Sequence, residues 1–281
     1  MRLVEVAETL DQAWLDTLTL IDSEPNGQAL HVVTTVARPV ADDLQSISSS
    51  PGFQEAVDEI LLVRHPAWQP ITTVAETIFP DSLYKWDCEA WHPDMELDQR
   101  LAVEQRATDL FTEYKDILPL ISKAKKNRWG STYFGRLVQW GEYNQVEYWI
   151  SALRKLRTQG KVTFKSANLV LAGEGELALG GQLRAADDKS HLGGPCLVHI
   201  DLSVLDGQLH LLANYRHWYL QERALGNLIG LANLLRFVCY QTGYPPGEMV
   251  VVSGVANAQH DVGRSAAHEL AQKLSELGWS P

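Results

Sequence analysis

Gly193-Gly194-Pro195-Cys196 leads into Leu197-Val-His-Ile-Asp-Leu-Ser-Val204, and Asp206-Gly207 separates this run from Gln208-Leu-His-Leu-Leu-Ala-Asn-Tyr215. Both runs are rich in the apolar and β-branched residues that favour strands, and an Asp-Gly pair between two strands is a strong hairpin signal. The Gly-Pro turn puts Cys196 at the entry to the first strand, where a rigid element can hold a nucleophile. The stretch therefore predicts a hairpin that begins with a chemically interesting cysteine.

The segments after the hairpin suit a strand–helix–strand order. Leu225 to Tyr240 is apolar on all sides, which indicates a buried helix, and Met249 to Ser253 is β-branched, as a core strand would be. His31 to Ala37 and Val162 to Leu171 also read as strands. No internal repeat, low-complexity tract or long linker marks a boundary, so we expect one domain over residues 1–281.

Composition limits the class of protein. The 281 residues carry a formal net charge of −11, and the calculated pI is about 5.3, so a general basic face for nucleic acid is not expected. The local basic cluster Lys123 to Arg128 is either a solvated loop or helix end, or an anion site for phosphate or carboxylate. We expect no membrane span, no secretion signal and a cytoplasmic protein. The three cysteines are far apart, which favours neither a disulfide framework nor a metal site.

Several short motifs before and after the hairpin occur in a definite order along the chain. Glu76 lies in a short segment between Pro70 and Pro80 that reads as a helix, and the segment from Gly130 to Arg136 reads as a turn. The set, in chain order, is Ala75-Glu76-Thr77, Tyr133-Phe134-Gly135-Arg136, Pro195-Cys196, Asp206-Gly207, Tyr215-Arg216-His217-Trp218, the apolar helix and Pro246-Gly247-Glu248. In this order the features resemble the thymidylate synthase superfamily, which includes the nucleotide hydroxymethylases. The resemblance covers roughly residues 65–260, between a divergent part, 1–64, and a C-terminal helix, 261–281.

The resemblance implies three catalytic residues. Cys196 matches the nucleophile whose thiolate adds to C6 of a pyrimidine, so that C5 can accept a one-carbon unit from a folate. Glu76 matches the general acid/base glutamate, and Tyr133 matches a tyrosine whose hydroxyl lies near the cysteine. Each residue also has a structural interpretation: a small buried cysteine, an exposed helix carboxylate and a packed aromatic ring.

The chain departs from the family at the phosphate site. Where the family has an arginine followed by a serine, this sequence has His217 and Trp218, and Arg216 is displaced by one place. The two arginines that the family's other subunit lends fall on Lys161 and on a valine. Arg128, or the lysines near it, is the candidate to rebuild an anion site.

Other binding positions depart as well. The asparagine that reads the pyrimidine edge falls on Leu228, next to Asn227, and the aspartate that holds the pterin falls on Leu220. The sugar-binding His and Tyr fall on Asn257 and Gln259. Because a site built for hydrogen bonds tolerates such losses poorly, thymidylate synthesis on the usual nucleotide is not expected.

These observations lead to two hypotheses. The first is a one-carbon transferase acting on a non-standard pyrimidine or related heterocycle, with Arg216, His217, Asn227, Asn257 and Gln259 facing the substrate. The cofactor would then be 5,10-methylenetetrahydrofolate, with no metal. The second is a catalytically inactive family member that acts as a dimeric binding or assembly protein. In either case the resemblance implies an α/β (α+β) fold, with a mixed sheet of about six strands, helices on one face and a homodimer on the other.

Overall fold

The computed structural model describes residues 1–124, 131–139, 143–159, 195–259 and 266–279, together with the backbone of 167–170. Its strands are β1 Arg2–Leu3, β2 Gln28–Val36, β3 Ala167–Val170, β4 Leu197–Leu205, β5 Gln208–Tyr219 and β6 Pro246–Asn257. They form one sheet in the order β1-β2-β6-β5-β4-β3. Strands β1/β2 and β5/β6 pair parallel and the other neighbours pair antiparallel, so the predicted mixed α/β architecture is confirmed.

Eight α-helices lie in the described part of the chain. They are α1 Leu10–Ser23, α2 Pro51–Arg64, α3 Ile71–Glu76, α4 Leu97–Lys123, α5 Tyr133–Val138, α6 Gln145–Gln159, α7 Leu225–Thr242 and α8 Ala266–Glu276. A 3₁₀ turn, Pro25–Gly27, precedes β2, and a π-helical turn, Leu220–Ala224, joins β5 to α7. Among the described residues, no helix is both long enough and apolar enough to cross a membrane.

The predicted hairpin is confirmed. Leu205 and Gln208 close the β4–β5 ladder, and the two residues between them have positive φ, 51° at Asp206 and 79° at Gly207. Positive φ at both central residues matches the twist of the flanking strands, and Asp-Gly adopts it at low cost. The turn fixes the register from Leu205 opposite Gln208 to His199 opposite Asn214, and a register shift between His199 and Leu197 then brings Leu197 opposite Tyr215.

Helix α7 is the centre of the core. All of its residues from Leu225 to Thr242 are buried, as its uniformly apolar sequence predicts, and it connects the parallel strands β5 and β6. Helix α3 packs directly on it at Gly226 and Gly230, because a Cβ atom at Gly230 would lie 2.6 Å from the carbonyl oxygen of Ala75. This close approach sets the position of Glu76, the next residue.

The segment predicted as a turn before residue 137 is helical from Tyr133 onwards. The hydroxyl of Thr132 accepts a hydrogen bond from the backbone N–H of Gly135 at 2.9 Å and so caps helix α5. The sequence prediction missed this cap because Gly135 suggests a turn. The helix is held in place where the N–H of Phe134 donates to the carbonyl of Thr77, at 2.8 Å.

The two faces of the sheet differ in burial. On one face Leu209, Leu211 and Ala213 are buried, whereas their neighbours on the opposite face are partly exposed. Register pairing places Thr35, Val250 and Leu212 in one row across β2, β6 and β5 on that second face.

Candidate functional site

Cys196 lies directly before β4, against the neighbouring strand. The backbone N–H of Arg216 donates to the Cys196 carbonyl at 2.8 Å. The guanidinium of Arg216 donates to the carbonyl of Pro195 through Nε at 3.1 Å and through Nη2 at 2.9 Å. These contacts hold the Pro-Cys turn on β5, so the thiol has a defined position and is partly exposed.

Opposing effects act on the Cys196 thiol. Burial raises its pKa above the ordinary cysteine value, and the charge of Glu222 adds to the rise. The guanidiniums of Arg216 and Arg223 and the backbone N–H of His217 oppose that rise, because they stabilise the thiolate. Burial dominates, so the thiol of the ligand-free protein is protonated at neutral pH. Two cations and one N–H nevertheless act to stabilise a negative charge on the sulfur.

Arg223 is a site residue that the sequence analysis missed. It lies in the π-helical turn after β5, where Nη1 donates to Oε1 of Gln69 at 2.9 Å and Nη2 is 2.7 Å from Oε1 of Glu222. One signal in the sequence could have identified Arg223. It follows the carboxyl end of β5, a strand that pairs in parallel with β6, and ligands commonly bind at such ends.

Tyr133 lies beside the cysteine. Its hydroxyl oxygen accepts from the backbone N–H of Leu197 at 3.4 Å and also from the N–H of Cys196. Burial, and then the nearby Cys196, raise the pKa of Tyr133, so its hydroxyl keeps its proton at physiological pH. The structure therefore brings together Tyr133 and Cys196, which are 63 positions apart in the sequence.

Glu76 lies at the end of α3, next to the segment that holds Tyr133. Its carboxylate accepts hydrogen bonds from the backbone N–H of Ser82 at 3.1 Å and from the Ser82 hydroxyl at 2.9 Å. Residues 77 and 134 are hydrogen-bonded through their backbones, so the two segments are in contact. The backbone segments that follow Glu76 and Tyr133 are therefore in contact, while the Glu76 carboxylate itself is held by Ser82.

The residues predicted to bind substrate are spread more widely. His217 is exposed and its ring stacks on that of Tyr219, with centroids 6.3 Å apart. Asn227 is buried in the first turn of α7, with 4% of its surface exposed. Arg128 and Lys161 lie outside the described residues.

The last two predicted binding residues have partners within the fold. The side-chain oxygen of Asn257 accepts from the N–H of Gln259 at 2.9 Å, and Nε2 of Gln259 donates to Oδ1 of Asp22 at 2.9 Å. The Gln259 side chain also covers Gly27, where a Cβ atom would meet it at 2.4 Å. The Gln259 amide is thus engaged between β6 and the end of α1.

The described residues do not fit a folate held in the manner of the family. Leu220, at the position of the pterin-binding aspartate, is completely buried, and its carbonyl already accepts from Nε1 of Trp14 at 2.8 Å. Leu220 therefore offers no polar group to a pterin. Within the described residues no group of three His, Cys, Asp or Glu side chains is placed to hold a metal ion.

No protein-family model matches the chain. A search of curated proteins finds similarity to a protein of Methanosarcina acetivorans named "Putative thymidylate synthase", with 28% identity over 144 residues. The match covers 50% of this chain and 59% of the relative's length, so the chain spans little more than half of the protein it matches. This similarity supports a distant relationship of thymidylate-synthase-like type.

Proposed function

We propose that the protein is a thymidylate-synthase-like enzyme in which Cys196 adds to C6 of an uncharged pyrimidine or related heterocycle, so that C5 can accept a one-carbon unit. The observation that carries the proposal is the fixed position of Cys196, whose carbonyl accepts from the Arg216 N–H while the N–H of Leu197, the next residue, donates to the Tyr133 hydroxyl. The charges of Arg216 and Arg223 favour the Cys196 thiolate, against burial and Glu222. Nearby cations and partial exposure are features of reactive cysteines, and in this site they act against the burial that raises the pKa of Cys196.

The proposed chemistry is a conjugate addition. The Cys196 sulfur forms a bond to C6, and the electron pair of the C5–C6 double bond moves to the ring carbonyl as an enolate. Tyr133, which stays protonated, donates a hydrogen bond towards the reacting ring, and Glu76 relays protons through water. The proton of the Cys196 thiol, which is present in the ligand-free protein, passes to Glu76 through water as the bond to C6 forms. C5 is then nucleophilic and takes up a proton from solvent or a one-carbon electrophile. Loss of the original C5 proton to the same base, with elimination of the thiolate, restores the C5–C6 double bond.

Hydrogen exchange at C5 tests this proposal without a one-carbon donor. Reversible addition to C6 exchanges the C5 hydrogen with solvent, so uracil, 2′-deoxyuridine and 2′-deoxyuridine 5′-monophosphate are each incubated in D₂O and followed by proton NMR. We expect exchange with the wild-type protein and none with Cys196→Ser. The matched control is Cys88→Ser, a second partly exposed cysteine, which should exchange at the wild-type rate.

A second candidate function is a catalytically inactive, dimeric binding protein. The observation that favours it is the pKa of Cys196, which burial raises rather than lowers. The proposed enzymatic function would be rejected if the wild-type protein exchanged none of the three compounds, or if Cys196→Ser exchanged them at the same rate. The inactive binding protein would then remain as the alternative.

We also propose that the protein is a homodimer that buries the partly exposed sheet face. Its row of Thr35, Val250 and Leu212 is mostly apolar and lies opposite the helices. Sheet faces of this kind gain stability when a second layer covers them.

A further inference from the structure

Three buried polar side-chain atoms of β5 and β6 lack hydrogen-bond partners in the part of the chain that the structure describes. They are Oη of Tyr215, Nε1 of Trp218 and Oγ of Ser253, and none of them has a partner among the residues that the structure describes. The exposed fractions of the three residues are 3%, 1% and 0%. Native proteins pair most buried side-chain polar atoms, so three unpaired atoms in one region need an explanation.

The three side chains lie together on the buried face of the sheet. Tyr215 and Ser253 are direct register partners on β5 and β6, which places their side chains on the same face. The rings of Tyr215 and Trp218 are nearly parallel, at 28°, with centroids 5.9 Å apart. Tyr215 is the register partner of Leu197, the residue after Cys196, which places Tyr215 beside the cysteine. The pKa of Tyr215 is raised well above its ordinary value, first by burial and then by Tyr133 and Cys196.

The chemistry of the group selects its ligand. An indole N–H can only donate, and each hydroxyl can donate one hydrogen bond and accept others. The group itself carries no charge, and the two neighbouring guanidiniums, of Arg216 and Arg223, are hydrogen-bonded to Pro195 and Gln69. Neutral donors of this kind suit carbonyl or hydroxyl oxygens, whereas a phosphate is recognised by cations or by rows of backbone N–H groups.

We propose that Tyr215, Trp218 and Ser253 form an oxygen-binding pocket for an uncharged, non-phosphorylated heterocycle beside Cys196. The proposal rests on the proposed function, because it specifies the substrate class of the same site. An unpaired buried polar group costs about 1–3 kcal/mol, and ligand oxygens would remove that cost on binding. The unpaired groups thus lower the free energy of unfolding of the ligand-free protein, and ligand binding restores it.

The first test needs no ligand. Tyr215→Phe and Ser253→Ala each remove an unpaired hydroxyl, so we expect the melting temperature of the ligand-free protein to stay level or rise by a few degrees, about 2–4 °C. The matched control is Tyr84→Phe, because that buried hydroxyl accepts from Nε2 of Gln241 at 2.7 Å and its loss should lower the melting temperature. If Tyr215→Phe and Ser253→Ala lower it as much as the control, the hydroxyls are paired and the proposal is overturned.

The second test measures binding without the covalent step. Calorimetry on the Cys196→Ser protein should show that 2′-deoxyuridine binds at least as tightly as its 5′-monophosphate. Adding Tyr215→Phe or Ser253→Ala should weaken 2′-deoxyuridine binding by about 10-fold or more. The pocket is rejected if 2′-deoxyuridine does not bind, if the second substitutions leave its affinity unchanged, or if the monophosphate binds tenfold more tightly. Because this test measures binding to a protein without the Cys196 thiol, it separates the two proposals. A failure of C5 exchange would reject the proposed catalysis and leave the proposed pocket intact.

Discussion

The reactivity of one side chain, Cys196, depends on the balance between burial and charge. Burial raises the pKa of its thiol, while Arg216 and Arg223 favour the thiolate. The attacking species is the thiolate, so the rate of alkylation follows the fraction of thiol that has lost its proton.

We therefore expect the alkylation of Cys196 by iodoacetamide, measured by peptide mass spectrometry in a Cys88→Ser background, to keep rising up to and beyond about pH 9. Arg223→Gln removes a charge that stabilises the thiolate. The pKa should rise further, and the rate at pH 8 should fall by about 3- to 10-fold.

The control for this experiment is Arg38→Gln, since the Arg38 side chain is 64% exposed and pairs with Asp42. Its alkylation rate should equal that of the parent. If the alkylation rate levelled off below pH 7, the cations would outweigh burial in setting the pKa of Cys196. That result would contradict the expectation that burial dominates.

At the scale of elements, the contact between α3 and α7 determines where Glu76 lies. Gly226 and Gly230 are one helical turn apart on α7 and allow the backbone of α3 to approach. A Cβ atom at Gly226 would lie 2.7 Å from Cβ of Val74, and one at Gly230 would lie 2.9 Å from Cβ of Ile78. Neither contact can be relieved by rotating a flexible side chain.

Gly230→Ala should accordingly lower the free energy of unfolding by about 1–3 kcal/mol in urea titrations and reduce C5 exchange, because α3 and Glu76 must move away from α7. Gly52→Ala is the matched control. It lies in the first turn of α2, where the nearest atom to a new Cβ is 3.8 Å away, so its stability should be unchanged or higher by up to about 1 kcal/mol. Equal effects of the two substitutions would show that α3 tolerates displacement.

At the scale of the whole molecule, the sheet has one face covered by helices and one that is partly exposed. The proposed homodimer would cover the second face, with apolar residues of β2, β5 and β6 at its centre. Sheet-on-sheet packing excludes an unpaired charge from such a centre.

The wild-type protein should therefore sediment at twice the 31.4 kDa of the chain, and Leu212→Arg should sediment as a folded monomer. Val63→Arg is the matched control, because Val63 is an apolar residue of α2 that is already 83% exposed. It should leave the mass unchanged. A wild-type mass of a single chain, or a Leu212→Arg protein that stays dimeric, would exclude this interface.

The sequence by itself determined the features that depend on neighbouring residues. The Asp206-Gly207 turn, the uniformly apolar α7 and the cysteine before β4 were all predicted, because turn chemistry and hydrophobic periodicity act over a few residues. The bounds were less well predicted: β6 runs to Asn257, beyond the expected end at Ser253, and α5 replaces an expected turn.

Only the tertiary structure decided which side chains meet. Arg223, in the π-helical turn after β5, contacts Gln69 and its charge favours the Cys196 thiolate, and Gln259 is held by Asp22, far away in sequence. The hydroxyls of Tyr215 and Ser253, which have no partners among the described residues, become neighbours only when β5 and β6 pair in parallel, connected by α7. The physical reason is that these contacts join distant segments, whose approach is fixed by packing and register rather than by any local pattern.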